Sequence, residues 1–317
     1  MEAMHRLASL PGVQEADGAV ALVEQAGAAI LFLTAAESDL LSLSRALDQR
    51  SAAGAGTARP FPAVRGLNLR ALRHPASIDH YLHVTVARAR LVLVRLLGGR
   101  GSWSYGLERL LVWSRGGGRH LLVMDGAGPD PHLESLSTTT PAYTGKVAAA
   151  LAMGGPCNMA AVLSSLEWLV GEGRETAPTP VPIEDPLLHD WRDEGGTPVG
   201  VLFYRALAQC GDLAVVDGLI AALRGQGLAP KALLVSGLRQ APLQDAVQRL
   251  WRREAVAAVV CGTGFATVDL SLAEAGAPLW DSLAVPVLQL ICSSQSREHW
   301  LRSSVGLGPV DLTMQVA

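Results

Sequence analysis

Aromatic side chains are scarce in this sequence, at 5% of 317 residues, and cysteine occurs only four times. Cys157, Cys210, Cys261 and Cys292 stand far apart with no C-x-x-C pair. That spacing supplies neither a zinc knuckle nor a disulfide framework, so small core thiols in a reducing compartment are the expectation. Basic runs are missing too: none exceeds the pair Arg252-Arg253, and the formal net charge is -3. This excludes a broad nucleic-acid or anionic-membrane footprint. No apolar stretch approaches the roughly 18 residues of a membrane helix. The opening Met-Glu-Ala-Met-His-Arg reaches Pro11-Gly12 without an apolar signal core, so a cytoplasmic chain is expected.

Several chemical motifs are absent as well. Gly145-Lys146 lacks the upstream glycine of a P-loop, and no G-x-S-x-G elbow occurs. Gly262-Thr-Gly264 follows an apolar run, but Thr267 stands where a dinucleotide loop has its third glycine, so a plain loop is expected there. His80 and His83 share a helix face near His74 and Asp79. Without a third fixed ligand they read as a solvated face rather than a metal site.

What the chain has is a core: 49% hydrophobic residues against 17% charged, with mean hydropathy +0.26. The organising stretch runs from Leu91 to Glu108: an apolar run around Arg95, then Gly98-Gly99, then Trp103 and Tyr105 leading into a helix over about Tyr105–Arg115. A short apolar run ending in glycines reads as a parallel strand buried on both faces. Further strands are predicted at Ala28–Leu33, within Ala63–Leu72, and at His120–Met124, Val199–Tyr204, Ala232–Val235, Ala255–Val260 and Val285–Ile291. Helices are predicted at Ala19–Gln25, Ser38–Leu47, Ser77 to about Arg90, Ser137–Val170 with a break at Gly154-Gly155-Pro156, Leu213–Gln226, Leu243–Arg253 and from Glu298. Ser77 is the expected cap of its helix, and Ser51–Pro62 reads as a mobile connection.

Alternating strands and helices give an α/β class. The expected architecture is two Rossmann-like parallel-sheet domains: residues 1–175, a proline-rich linker over 176–197, and an incomplete second domain over 198–317 whose apolar ending reads as a cut through a continuing fold. Ligands of such sheets sit at the carboxyl ends of the strands. The polar groups there are Arg95, Asp125, Tyr204, Arg205, Ser236, Thr263 and Ser293. Arginine suits carboxylates and phosphates, which suggests an anion cleft. The competing reading pairs Arg95 with Asp125, and Arg205 with Asp212 or with a carboxylate across the sheet. Trp103 and Tyr105 are expected to pack the loop.

Taken together, several stretches resemble one family. They are Leu72-Arg-His-Pro-Ala-Ser-Ile-Asp-His-Tyr81, Val92–Gly99, Trp103–Glu108, Gly154-Gly-Pro-Cys-Asn158, Val201–Leu207 with Gly211-Asp212, Cys261–Ala266, Val285–Gln289, Gly306–Leu312 and Met314–Ala317. In this order they are similar to the N-terminal part of large subunits of the CobN/magnesium-chelatase H family, and the Phe-Tyr-Arg…Gly-Asp pattern is closer to the cobalt branch. The resemblance implies a subunit that binds a corrin precursor, hydrogenobyrinic acid a,c-diamide, with Co2+ as substrate metal. ATP and Mg2+ would be used on AAA+ and companion partner subunits (CobS/CobT or ChlI/ChlD type), and no cofactor is expected on this chain. It also gives the strand-tip arginines Arg95 and Arg205 a rationale, since guanidinium groups could hold the corrin carboxylates, with Tyr204, Ser236, Thr263 and Ser293 as further substrate-binding candidates. The metal-inserting groups lie, in the family, outside this stretch, so no catalytic residue is expected here. The alternatives are a magnesium-chelatase fragment, a non-catalytic ligand-binding module, or a docking scaffold.

Overall fold

In a computed structural model, residues 22–53, 61–126, 128–238, 240–264, 278–293, 296–304 and 306 are described. The chain divides between Pro182 and Ile183 into two compact units.

In chain order the first unit contains β1 (Ile30–Thr34), α1 (Glu37–Ala53), β2 (Val64–Asn68), α2 (Pro75–Val84), β3 (Leu91–Leu96), α3 (Ser104–Ser114), β4 (His120–Asp125), α4 (Pro131–Glu134), α5 (Pro141–Met153) and α6 (Pro156–Glu172). Its four strands are all parallel, in the order β2-β1-β3-β4. Because side chains alternate along a strand, each apolar run feeds two cores. Leu31, Leu33, Val92, Val94 and Leu96 pack under Ile78 and Tyr81 of α2 and Leu107 and Leu110 of α3. Ile30, Phe32, Leu91 and Leu93 face Leu43 of α1, Val147 of α5 and Val162 and Leu166 of α6. Burying each such leucine or valine contributes about 1.5–3 kcal/mol before chain entropy is counted.

Three local expectations change. Residues Leu22–Gln25 are not helical; residues 19–21 lie outside the described set. Gln25 is pinned instead, donating to Gly66 O (3.0 Å) and accepting from Tyr81 Oη (2.6 Å) and Thr85 Oγ1 (2.9 Å). Burial pushes the Tyr81 phenol up, so it stays a donor. Second, Ser51–Ala53 continue α1 rather than opening a loop; residues 54–60 lie outside the description. Third, α2 is capped by His74 and not by Ser77. The residue before a proline is pushed to extended backbone, and at φ −87°, ψ 135° the His74 ring accepts from Ala76 N. The helix stops at Val84, and a 3₁₀ turn, Val86–Arg88, carries the chain to β3.

The second unit contains β5 (Leu187–His189), β6 (Thr197–Tyr204), α7 (Ala206–Cys210), α8 (Ala214–Gly225), β7 (Leu228–Val235), α9 (Ala241–Arg253), β8 (Ala258–Cys261), α10 (Pro278–Leu283), β9 (Val287–Gln289) and α11 (Arg297–Arg302). The strand order is β5-β7-β6-β8-β9. Strands β6 to β9 are parallel, but β5 runs antiparallel on β7, so this sheet is mixed rather than purely parallel. Strand β7 starts at Leu228, before the predicted Ala232, and runs through Pro230. The ladder to β5 covers only Ala232 to Leu234, so among the described residues the proline meets no partner strand on that side.

The proline-rich stretch is held on both sides of the division. In the first unit, buried Asn158 accepts from Val181 N (2.8 Å) and donates to Val181 O (2.8 Å) and Gly154 O (2.6 Å). In the second, Arg224 of α8 binds both oxygens of Glu194 at 2.9 Å and Asp190 at 2.5 Å. Hydrogen bonding from Arg224 holds the Asp190 carboxyl below its ordinary value. Lys231, only 4% exposed in its side chain, reaches Glu254 (2.9 Å) and Arg192 O (2.6 Å) beside the Trp191 ring. Its hydrogen bond is the main cause that lowers the Glu254 carboxyl.

Candidate functional site

In both sheets the first strand of the parallel set has its successor on one side and the third strand on the other. The chain therefore reverses direction between β1 and β3, and again between β6 and β8. In open α/β sheets the crevice for ligands forms at such a reversal, beyond the carboxyl ends of the strands. Arg95 is the next-to-last residue of β3 and Arg205 follows β6, so each arginine stands at one of these points.

The first crevice is closed by its own helix. Arg95 Nη1 bonds Asp39 Oδ1 at 2.5 Å, and Nη2 donates to Gly126 O at 3.1 Å. Asp39 Oδ2 takes the Thr34 hydroxyl at 2.6 Å. The Arg95 and Asp39 side chains are 11% and 9% exposed. The partner predicted from sequence, Asp125, is wrong for a geometric reason. Asp125 is in register with Leu96, and neighbours along a strand point to opposite faces. Arg95 thus shares the face of Leu93 and α1, where Asp39 waits in the first turn. Asp125 accepts instead from Gly99 N at 3.2 Å, beside a turn in which Gly98 and Gly99 have φ of 94° and 69°. That left-handed backbone is open to glycine at little cost.

At the second sheet, Arg205 turns toward β7. Its Nη1 donates to Ile183 O (3.0 Å) and Glu184 O (3.3 Å) and lies 3.5 Å from Asp185 Oδ2. The other Asp185 oxygen accepts from Ser236 N at 3.2 Å. Leu187 is in register with Leu234 in an antiparallel ladder, so two residues earlier Asp185 arrives opposite Ser236, beyond the strand tips. Asp212, the other predicted partner, lies past α7, where its N–H bonds Leu207 O. Among the described residues, the buried Arg205 Nε has no hydrogen-bond partner.

Of the other candidates, Tyr204 is half-buried at the end of β6, in register with Val235. Thr263 is buried at the tip of β8, its hydroxyl 3.1 Å from Cys261 Sγ and its carbonyl accepting from Gln289 Nε2 at 2.9 Å. Between them Gly262 packs so closely that a Cβ would fall 2.4 Å from the Phe203 ring. Ser293 follows β9. The fold thus joins Arg205 and Ser236 through Asp185, sets Tyr204 and Thr263 at neighbouring tips, and keeps Arg95 in the other unit. Asp39 and Asp185 were the residues sequence reasoning missed. Side-chain alternation around Arg95 was the available signal for the first; a proline-rich context hid the second.

Among the described residues, no group of three His, Cys, Asp or Glu side chains is placed to hold a metal ion, and no helix is long and apolar enough to cross a membrane. The loop Trp103 is buried, donating from Nε1 to Leu72 O at 2.8 Å, whereas Tyr105 is exposed and donates to Asp79 at 2.7 Å.

A family model described as CobN/Magnesium Chelatase matches residues 149–317. The chain belongs to the CobN/magnesium chelatase family. Two CobN relatives extend the likeness to nearly the whole sequence. An aerobic cobaltochelatase subunit CobN of a Sinorhizobium species is 32% identical over 336 residues, covering 99% of this chain and 26% of that protein. The aerobic cobaltochelatase subunit CobN of Pseudomonas aeruginosa is 31% identical, covering 99% of this chain and 25% of that protein. The chain therefore spans about a quarter of the length of the curated relatives it matches. A solved structure, the catalytic subunit of cobaltochelatase from Mycobacterium tuberculosis, shares the fold at a TM-score of 0.67 and 23% identity, over 91% of this chain and 23% of that one.

Proposed function

We propose that this chain is the N-terminal region of the large, tetrapyrrole-binding subunit of an ATP-dependent cobaltochelatase, a nitrogen–metal ligase of aerobic cobalamin biosynthesis in the cytoplasm. The complex inserts Co2+ into hydrogenobyrinic acid a,c-diamide. The observation that carries this reading is the likeness to two proteins named aerobic cobaltochelatase subunit CobN along 99% of the chain. In this proposal ATP and Mg2+ act on AAA+ and companion subunits of the CobS/CobT type, and metal insertion uses groups elsewhere in the large subunit. This region contributes binding. Its substrate-facing groups are those at the second sheet's edge: Arg205 with Tyr204, Ser236, Thr263 and Ser293. Arg95, committed to Asp39 at 2.5 Å, holds α1 on the first sheet instead.

The test is an absorbance and tryptophan-quenching titration of the chain with hydrogenobyrinic acid a,c-diamide, with protoporphyrin IX as control. Saturable 1:1 uptake of the corrinoid alone is expected. Preference for protoporphyrin would move the chain to the magnesium branch, which the family model also covers. Uptake of neither ring, together with co-purification of the ATPase subunits, would replace the binding role with a docking one.

A further inference from the structure

We propose that Asp185 is an internal stand-in for a ligand carboxylate: it occupies a carboxylate-binding position built from the Arg205 guanidinium and the Ser236 backbone N–H, and is displaced when a ligand carboxylate binds. The position has the parts such a site needs, a guanidinium and a backbone donor converging at the ends of adjacent parallel strands. One carboxylate already spans both, with Oδ1 3.2 Å from Ser236 N and Oδ2 3.5 Å from Arg205 Nη1. The fit is incomplete. An arginine–carboxylate fork closes at about 2.7–2.9 Å and often uses two nitrogens; here the contact is longer than a hydrogen bond and, among the described residues, the buried Nε has no partner.

The same segment is fixed far more firmly further along. Arg224 holds Asp190 at 2.5 Å and Glu194 at 2.9 Å, and Lys231 holds Arg192 O at 2.6 Å. Removing Asp185 from the slot therefore leaves the rest of the strap anchored. The side chains of Arg205 and Asp185 are 20% and 25% exposed, so an outside carboxylate has access to both. An internal occupant lowers the fraction of molecules competent to bind, and the apparent affinity falls by that fraction. Asp185 then sets a threshold that a ligand with several carboxylates passes more readily than a monoacid. The corrinoid identity of that ligand rests on the proposed function; the carboxylate position does not.

The experiment uses the ¹⁵N-labelled chain with succinate as the probe, reading the Ser236 amide. In Asp185→Ala the amide is expected to shift saturably at a succinate concentration at least about tenfold below that needed by the wild type, and Asp185→Ala combined with Arg205→Ala is expected to lose the shift. Equal responses in wild type and Asp185→Ala, or a shift that survives loss of Arg205, overturn the proposal. Should Asp185→Ala not fold, Asp185→Asn keeps an acceptor for Ser236 N while removing the charge, and the same ordering with a smaller step is expected. Titrating the same variants with hydrogenobyrinic acid a,c-diamide separates the two readings. Succinate binding gained in Asp185→Ala, with no corrinoid uptake by any variant, sustains the carboxylate position and sinks the corrin assignment.

Discussion

The two sheets of this chain share one arrangement, with the first parallel strand flanked by the second and third, yet they treat the crevice at its tip differently. In the first unit the arginine meets a carboxylate two residues into α1, the helix that directly follows β1. In the second it meets Asp185, from a strap that enters along the outer edge of the sheet. The first pair is tight and nearly buried; the second is loose and partly open. A carboxylate in a helix turn covalently close to the crevice is delivered to one place. One at the end of an antiparallel strap is placed by the strap's other anchors. On the proposed function, the first sheet's crevice serves the fold and the second serves binding.

The sharpest way to break that contrast is Arg95→Ala, which strands Asp39 in the interior. A loss of about 3 kcal/mol or more is expected, read by urea unfolding with fluorescence of Trp103 and Trp113, both in the first unit's core. Next comes Glu254→Gln, which takes the carboxylate from buried Lys231 and loosens the strap's firm end; about 2 kcal/mol is expected at neutral pH. The folded-state pKa of Glu254 is depressed by Lys231. Its contribution is therefore present above the unfolded-state value and lost as pH falls through the folded-state value. The gap in Tm between wild type and Glu254→Gln should close in acid, and a gap unchanged by pH would refute the pairing. The smallest effect is expected from Arg205→Ala, about 1 kcal/mol or less, as for a half-open ion pair. If Arg205→Ala costs as much as Arg95→Ala, the two crevices are equivalent and the contrast fails.

Much of this was legible before the fold was seen. Apolar runs such as Leu91–Val94 had to be strands buried on both faces, because every residue in them avoids water. The glycines after Leu97 marked a turn, and the arginines at strand ends marked the sheet edge. Partners were not legible. Arg95 had a plausible mate in Asp125, one strand away, but the register puts that carboxylate on the other face. His74 is hard to read as a cap from sequence because a histidine ring is a rarer acceptor than a serine hydroxyl, and the proline after it settles the backbone. Residues 187–189 carried prolines and acids around them and gave too short a run to read as a strand, although the edge of β7 accepts them.

The sequence by itself determined the α/β class, the placement of most strands and the family, because these follow from hydrophobic period and from residue order, which are local. Only the tertiary structure decided that one sheet is mixed, that Asp39 and not Asp125 neutralises Arg95, and that Asp185 sits on Arg205 and Ser236. Those outcomes depend on register and on which face a side chain takes. A shift of one residue reverses the face, and no local pattern in the chain records it.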